Sequence, residues 1–155
     1  MKVALGSDHA GYDLKEKVKG FLNGMGIEVL DVGTLSTDSV DYPDFAHKVA
    51  VQVRDGKADR GILTCGTGVG VCIAANKVRG IRAALASDPE IVRLSRQHND
   101  ANILCLAGRF TETTKAQELV KIWLDTEFEG GRHQRRLEKI QELERDCDHS
   151  DTNKS

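Results

Sequence analysis

The sequence predicts an α/β fold in which a parallel sheet of five strands lies between two layers of helices. Short apolar segments alternate with amphipathic ones along most of the chain, which is typical of repeated strand–helix units. Pro43 and Pro89 stand near helix starts and Gly24 near a helix end, in agreement with those boundaries. Because crossovers between parallel strands are right-handed and put helices on both faces, we expect a three-layer sandwich.

The five predicted strands are short apolar runs of strand length. They cover residues 2–6, 28–32, 61–64, 82–86 and 103–107. Amphipathic segments follow them and predict helices over residues 12–24, 42–53, 69–77, 89–98 and 112–128. Asp88 precedes Pro89 and is a candidate N-cap of the fourth helix.

A sixth helix is predicted over residues 132–146, after Gly130 and Gly131. Its apolar stripe consists of Leu137, Ile140 and Leu143 and is narrow, so the helix either lies solvated on its own subunit or docks on a neighbouring chain. Residues 1–146 are expected to form one domain, and the polar residues 147–155 a disordered tail.

The composition narrows the possible classes of protein. A net charge of −2 over 155 residues gives no general attraction to nucleic acid or to an anionic membrane. The longest apolar runs are too short to span a bilayer, and no secretory signal is predicted. The four cysteines are widely spaced, which argues against a zinc site or a disulfide framework and for a cytoplasmic protein.

Polar and reactive residues follow the predicted strands. Asp8 and His9 come after the first strand, a Cys65–Gly70 loop after the third, and Arg109 after the fifth. In open parallel sheets, ligands bind beyond the carboxyl ends of the strands. We therefore expect these residues, together with His98 at the end of the fourth helix, to form an acid–base site at one edge.

The loop after the third strand is rich in glycine. Gly66, Gly68 and Gly70 let the backbone approach a ligand closely and offer N–H groups beside a helix start. No Gly-Lys-Ser/Thr follows, and Val71 breaks the dinucleotide fingerprint. Asp88, about 20 residues beyond the loop, keeps a non-catalytic nucleotide-binding module as a weak alternative.

Cys65 stands directly before this loop, where the positive end of a helix favours a thiolate. A thiolate acts either as a base or as a nucleophile, and spacing alone does not decide between them. One hypothesis is therefore proton transfer, and another is acyl or phosphoryl transfer with Cys65 as nucleophile and His98 as base.

The last predicted helix has an unusual order of charges. Its first turn contains the basic side chains of Arg132, His133, Arg135 and Arg136, and its end contains Glu142, Glu144 and Asp146. This order opposes the helix dipole by about 0.3–1 kcal/mol per charge. A bound anion would offset that cost, and Arg132 and Arg136 share one face on which to hold a phosphate.

Six segments resemble the ribose-5-phosphate isomerase B family. They are V-A-L-G-S-D-H-A-G-Y-D-L-K near the start, D-Y-P-D, L-T-C-G-T-G-V-G, R-L-S-R-Q-H-N-D-A-N, L-A-G-R and G-G-R-H-Q-R-R. Together they extend the resemblance over about the first 145 residues. Galactose-6-phosphate isomerase subunits share the superfamily and are the nearest alternative.

The resemblance implies a Rossmann-like, flavodoxin-like sandwich and a metal-free isomerase of the pentose phosphate pathway that needs no cofactor. It implies interconversion of ribose 5-phosphate and ribulose 5-phosphate, with galactose 6-phosphate or allose 6-phosphate as alternative substrates. It also implies a homodimer, with a tetramer as the alternative, whose active sites lie at the subunit interface. We expect Cys65 and the pair Arg132 and Arg136 of one site to come from different chains.

The resemblance also implies roles for individual residues. Cys65 matches the general base, and His98 matches the acid that opens the sugar ring. The anion hole for the enediolate matches Gly66, Thr67, Gly68, Val69 and Gly70, and the hydroxyl of Thr67 assists proton shuttling. Substrate contacts match Asp8, His9 and Asn99, and phosphate ligands match Arg109, Arg132 and Arg136. Val71 stands where some relatives have a glutamate base, so this chain is of the cysteine type.

Overall fold

The computed structural model describes residues 1–152, with side chains for residues 1–148. The strands are β1 (Lys2–Ser7), β2 (Glu28–Asp31), β3 (Arg60–Cys65), β4 (Ala83–Leu85) and β5 (Ile103–Ala107). The helices are α1 (Tyr12–Gly24), α2 (Tyr42–Arg54), α3 (Val69–Ala75), α4 (Pro89–Gln97), α5 (Thr113–Asp125) and α6 (Arg132–Thr152). Within the described residues, none of these helices has the length and apolar character needed to cross a membrane.

All strand pairs are parallel, and the strands lie in the order β2-β1-β3-β5-β4. The order changes direction between β1 and β3, since β2 lies on one side of β1 and all later strands lie on the other. Such a switch point opens a crevice at the carboxyl ends of the two strands. Here those ends are Ser7 and Cys65.

Alternate strand residues build a separate core on each face of the sheet. In β1, Val3 and Leu5 belong to one core and Ala4 to the other. Helices α1, α4 and α5 cover the first core, and α2 and α3 cover the second. The predicted three-layer α/β fold with five parallel strands is therefore confirmed.

A fully buried lysine fixes the start of the connection from β2 to α2. Lys15 Nζ donates to both carboxylate oxygens of Asp31, at 2.9 and 2.8 Å, and Lys19 adds a third bond at 2.9 Å. Burial raises the pKa of Asp31, but the hydrogen bonds from these lysines outweigh it and hold the pKa below its ordinary value. Asp31 also accepts from the N–H of Gly33 at 2.9 Å, so the charge cluster anchors the following loop.

Helix α5 ends three residues before the predicted position because buried arginines bind the backbone there. Arg60 Nη1 donates to the carbonyl of Trp123 at 2.7 Å, and Arg96 Nε donates to that of Thr126 at 3.1 Å. Both guanidinium groups satisfy carbonyls that a longer helix would have paired internally. Residues 126–131 therefore form the connection from α5 to α6.

Helix α6 is longer than the sequence predicts. The predicted end was residue 146, with a disordered tail over 147–155, but the helix continues to Thr152. Glu144 accepts a hydrogen bond from the N–H of Gly80 at 3.1 Å, and Asp148 pairs with Arg79. These long-range contacts hold the polar turns against the domain. The tail prediction is therefore wrong for residues 147–152, and residues 153–155 lie outside the described part.

Candidate active site

A cleft of about 240 Å³ opens at the carboxyl edge of the sheet, beside the ends of β1 and β3. It is lined by Asp8, His9, Ala10, Tyr42, Cys65, Gly66, Thr67, Gly70 and Arg109. Seven of these nine residues are among the predicted site residues. The volume suits a small ligand, and the lining combines polar and apolar groups.

Cys65 occupies the end of β3 and is 4% exposed. Its Sγ accepts a hydrogen bond from the N–H of Gly68 at 3.2 Å. An N–H group that points at the sulfur stabilises negative charge on it, as does the start of α3 behind the loop. The thiol is therefore placed to act as a base or a nucleophile at the wall of the cleft.

The glycine loop after Cys65 has a shape that larger residues would disturb. Gly68 has a φ of 77°, and a Cβ at that position would lie 2.6 Å from Leu85 Cδ1. Thr67 Oγ1 accepts from the N–H of Val69 at 3.3 Å and stabilises the turn. Gly68 and Val69 do not line the cleft, because the first directs its N–H to sulfur and the second begins α3.

Asp8 and His9 are both held by backbone N–H groups. Asp8 accepts from Gly11 N at 2.9 Å, which fixes the turn into α1. His9 Nδ1 accepts from the N–H of Val40 at 3.2 Å, so the neutral ring carries its proton on Nε2. The second nitrogen of His9 is thus a hydrogen-bond donor.

Arg109 brings a positive charge to the rim of the cleft. Its backbone N–H donates to the carbonyl of Gly66 at 3.1 Å, and a Cβ on Gly66 would lie 3.5 Å from its Nη1. Within residues 1–148, no carboxylate lies within ion-pair distance of Arg109. The guanidinium is therefore available to an anionic ligand.

Tyr42 lines the same cleft, and the sequence analysis assigned it no role. A Cβ on Gly70 would lie 2.8 Å from Cζ of the Tyr42 ring, so the ring packs directly on the glycine loop. The sequence signal that could have identified Tyr42 is its place in the D-Y-P-D segment, at the start of α2.

His98 lies at the opposite edge of the sheet from Cys65. It caps the carboxyl end of α4, which runs antiparallel to the strands and returns the chain to their amino ends. A contact of the residues that follow His98 agrees with this position at the amino ends of the strands. The backbone carbonyl of Asn102 accepts a hydrogen bond from the N–H of Gly61, near the start of β3, at 2.9 Å. The two edges are separated by about 15–20 Å, the length of a strand of five or six residues. The expectation that one chain brings His98 to the Cys65 edge is therefore wrong.

A pair of arginines holds the turn that contains His98 and Asn99. Asp100, with a φ of 46°, accepts from Arg96 Nη1 at 2.8 Å and from Arg82 Nη2 at 3.3 Å. Arg96 also donates to the carbonyl of Ala101 at 2.8 Å, so ion pairs and a backbone contact fix the turn. Asn99, a predicted sugar contact, is exposed on it.

The first turn of α6 lies beside the turn that contains His98 and Asn99, and together they form a second group of predicted site residues. The rings of His98 and His133 stack, with centroids 4.3 Å apart and planes at 17°. His133 is only 4% exposed, and burial, followed by the charges of His98 and Arg132, lowers its pKa. Arg132 and Arg136 are exposed beside it. The structure thus groups His98, Asn99, Arg132 and Arg136 in one place, apart from the Cys65 cleft.

Residues 3–140 match the family model described as Ribose/Galactose Isomerase. The chain belongs to the ribose/galactose isomerase family. Ribose-5-phosphate isomerase B of Escherichia coli (strain K12) is 48% identical to it over 143 residues, which are 92% of this chain and 96% of that protein. The family resemblance predicted from the six sequence segments is confirmed.

Solved structures of the family share this fold. Ribose-5-phosphate isomerase B of Clostridium thermocellum is 52% identical, with a TM-score of 0.94 over 95% of this chain and 99% of that chain. The enzyme from Mycoplasma genitalium, solved with bound ribulose-5-phosphate, is 45% identical, with a TM-score of 0.89 over 93% of this chain and 96% of that chain.

Proposed function

We propose that the protein is an aldose–ketose isomerase that interconverts ribose 5-phosphate and ribulose 5-phosphate. The observation that carries this proposal is the buried thiol of Cys65 in a small cleft, in a chain of the ribose/galactose isomerase family. A family member 45% identical to it was solved with the ketose phosphate bound. A coupled assay that follows ribulose 5-phosphate formation tests the activity, and no turnover of either pentose phosphate would contradict it.

The reaction moves one proton between two neighbouring carbons. The Cys65 thiolate removes the proton from C2 of the open-chain aldose, the electron pair forms the C1–C2 double bond, and negative charge develops on O1. The proton then returns to C1, while the hydroxyl proton passes from O2 to O1 with help from Thr67. N–H groups of the glycine loop stabilise the enediolate oxygen, since preorganised donors act most strongly where charge develops.

The remaining predicted residues position the substrate. Arg109 offers a positive charge at the rim, and His9 offers Nε2–H as a donor. Asp8 has one oxygen bound to Gly11 N, so its other oxygen is the one proposed for the sugar. Fixing the phosphate end orients a small flexible molecule over the base.

A complete site requires two chains under this proposal. His98, Asn99, Arg132 and Arg136 lie at the amino edge of the sheet, while Cys65 lies at the carboxyl edge, and one chain does not bridge about 15–20 Å. In a twofold dimer, the second group of one copy meets the cleft of the other, which gives two equivalent sites.

The surface supports such a homodimer. β4 is an edge strand, and exposed apolar side chains lie on it and on the neighbouring helices: Val69, Ile73, Leu85 and Ile91. On α6, Ile140 and Leu143 are 42% and 65% exposed. A partner chain would cover these surfaces, which a monomer leaves in water.

We place the enzyme in cytoplasmic carbohydrate metabolism, in the pentose phosphate pathway. The support is its pentose phosphate chemistry and its thiols. Among the described residues, Cys65, Cys72 and Cys105 form no disulfide. Reduced thiols are typical of the cytoplasm.

Replacing His98 with asparagine is expected to slow turnover of the cyclic substrate far more than that of an open-chain analogue. The proposed task of His98 is to protonate the ring oxygen, a step that an open-chain aldehyde does not need. Turnover of ribose 5-phosphate and of a four-carbon open-chain aldose phosphate by the same preparations measures the difference. We expect a loss of about 10²-fold or more for the cyclic sugar, in the range of general acid catalysis.

Asn99 provides a control on the same turn, since Asn99→Ala should weaken binding of both substrates to a similar extent. Equal losses of turnover on both substrates with His98→Asn would place His98 in the proton transfer itself.

Activity is expected to survive exhaustive chelation. The proposed mechanism uses a thiolate base and backbone N–H donors, and neither needs a Lewis acid. Isomerase activity is measured after dialysis against EDTA, with metal content determined in the same sample. Loss of activity that a divalent metal restores would contradict the proposed mechanism.

A further inference from the structure

Three side chains from two parts of the sequence bring metal-binding atoms together near the start of α6. His98 caps α4, Glu129 lies in the connection from α5, and His133 lies in the first turn of α6. One donor atom from each lies within 4.8 Å of the other two. No other such set of His, Cys, Asp or Glu occurs among the described residues. Local sequence patterns do not indicate this cluster, because His98 is distant in sequence from Glu129 and His133.

Two of the three donor atoms already have the spacing of zinc ligands. Ligands bound at 2.0–2.1 Å in a tetrahedron are about 3.4 Å apart. Glu129 Oε2 and His133 Nε2 are 3.6 Å apart. His133 is 4% exposed, so its ring is held by its surroundings, whereas the Glu129 carboxylate is exposed and adjusts easily.

To bind one ion together with Glu129 and His133, His98 has to turn its ring. Imidazole lone pairs lie in the ring plane, and the two stacked rings are inclined by only 17°, so a shared ion requires His98 to tilt out of the stack. Its ring is half-buried at a helix end, and side-chain torsions provide this movement. The backbone stays in place because Gln97 O accepts from Glu129 N at 3.1 Å, which ties the two segments together.

We propose that His98, Glu129 and His133 form a binding site for a divalent transition metal, with Zn²⁺ as the best match. Two imidazoles and one carboxylate suit zinc or cobalt, whereas Mg²⁺ and Ca²⁺ prefer oxygen ligands only. Three protein ligands leave the fourth tetrahedral position to water or to an anion.

Occupation of this site inhibits the isomerase, a consequence that rests on the proposed function. The ion takes the His98 nitrogen that would otherwise open the sugar ring. The metal therefore acts as an inhibitor, in agreement with activity that survives chelation.

Cobalt binding to the full chain tests the site without reference to activity. Co²⁺ should bind with one ion per chain and give the visible absorption of a four-coordinate nitrogen and oxygen site. Glu129→Gln and His133→Asn should each weaken this binding at least 10-fold. Glu129 is exposed, so its replacement leaves the fold intact even if the change at the buried His133 does not. The control is Glu127→Gln, an exposed carboxylate of the same connection, which should bind as the wild type does.

Unchanged cobalt affinity in Glu129→Gln would overturn the proposed site. A thiolate-to-cobalt absorption band that disappears in Cys65→Ala would also overturn it, because the ion would then be bound by the cleft. In the activity assay, Zn²⁺ should inhibit the wild type and Glu127→Gln and have at least 10-fold less effect on Glu129→Gln. If cobalt binds but zinc does not inhibit an active enzyme, the inhibitory role is refuted. If the wild type is inactive, the proposed function is refuted, and the cobalt-binding result still decides whether the metal site exists.

Discussion

Replacing Cys65 with alanine is expected to lower turnover by about 10²–10⁴-fold, which is the usual contribution of a general base. The side chain is 4% exposed and its Sγ accepts the N–H of Gly68, so alanine removes the base without disturbing polar contacts elsewhere. Substrate binding should change little, since the phosphate and hydroxyl contacts are assigned to other residues. Turnover and the dissociation constant of ribose 5-phosphate are the two measurements.

Cys72 provides a matched control for that experiment. A hydrogen bond from Cys105 lowers the pKa of Cys72 to about 7. Cys72 does not line the cleft, however, and its Sγ contacts the carbonyl of Ala83 at 3.5 Å. Cys72→Ala should therefore keep near-normal turnover. A Cys65→Ala variant with near-wild-type turnover would rule out Cys65 as the base.

Two inactive variants are expected to restore activity when they exchange subunits. One is Cys65→Ala and the other is Arg132→Ala with Arg136→Ala. If each site takes the cleft from one chain and the arginines from the other, a mixed dimer has one site with both defects and one with neither. Because the twofold sites are equivalent, each mixed dimer should show about half of the wild-type activity.

The control for this experiment is Arg135→Ala, which removes an exposed arginine from the same turn of α6. It should keep activity alone, because Arg135 is not assigned to the phosphate. Heterodimer formation is verified by native mass spectrometry of differently tagged subunits. If proven heterodimers stay inactive, each site is built from one chain, and the separation of the two groups needs another explanation.

The sequence alone determined the layers of the fold and one half of the site. Alternating apolar runs and amphipathic segments required a parallel sheet with helices on both faces, and β5 and α1 have the predicted bounds. Since parallel strands share one carboxyl edge, the residues after β1, β3 and β5 had to meet there. Asp8, Cys65 and Arg109 do so in the cleft.

Only the tertiary structure decided how the other half is arranged. Whether His98 lies beside Cys65 depends on the direction in which α4 crosses the sheet, and the helix returns it to the far edge. The stack of His98 on His133 joins residues far apart in sequence through packing, which local patterns do not encode. The extension of α6 beyond residue 146 has the same cause, because its polar turns are held by Arg79 and the backbone of Gly80, a remote part of the chain. Local periodicity determines secondary structure, whereas contacts between distant segments depend on the fold as a whole.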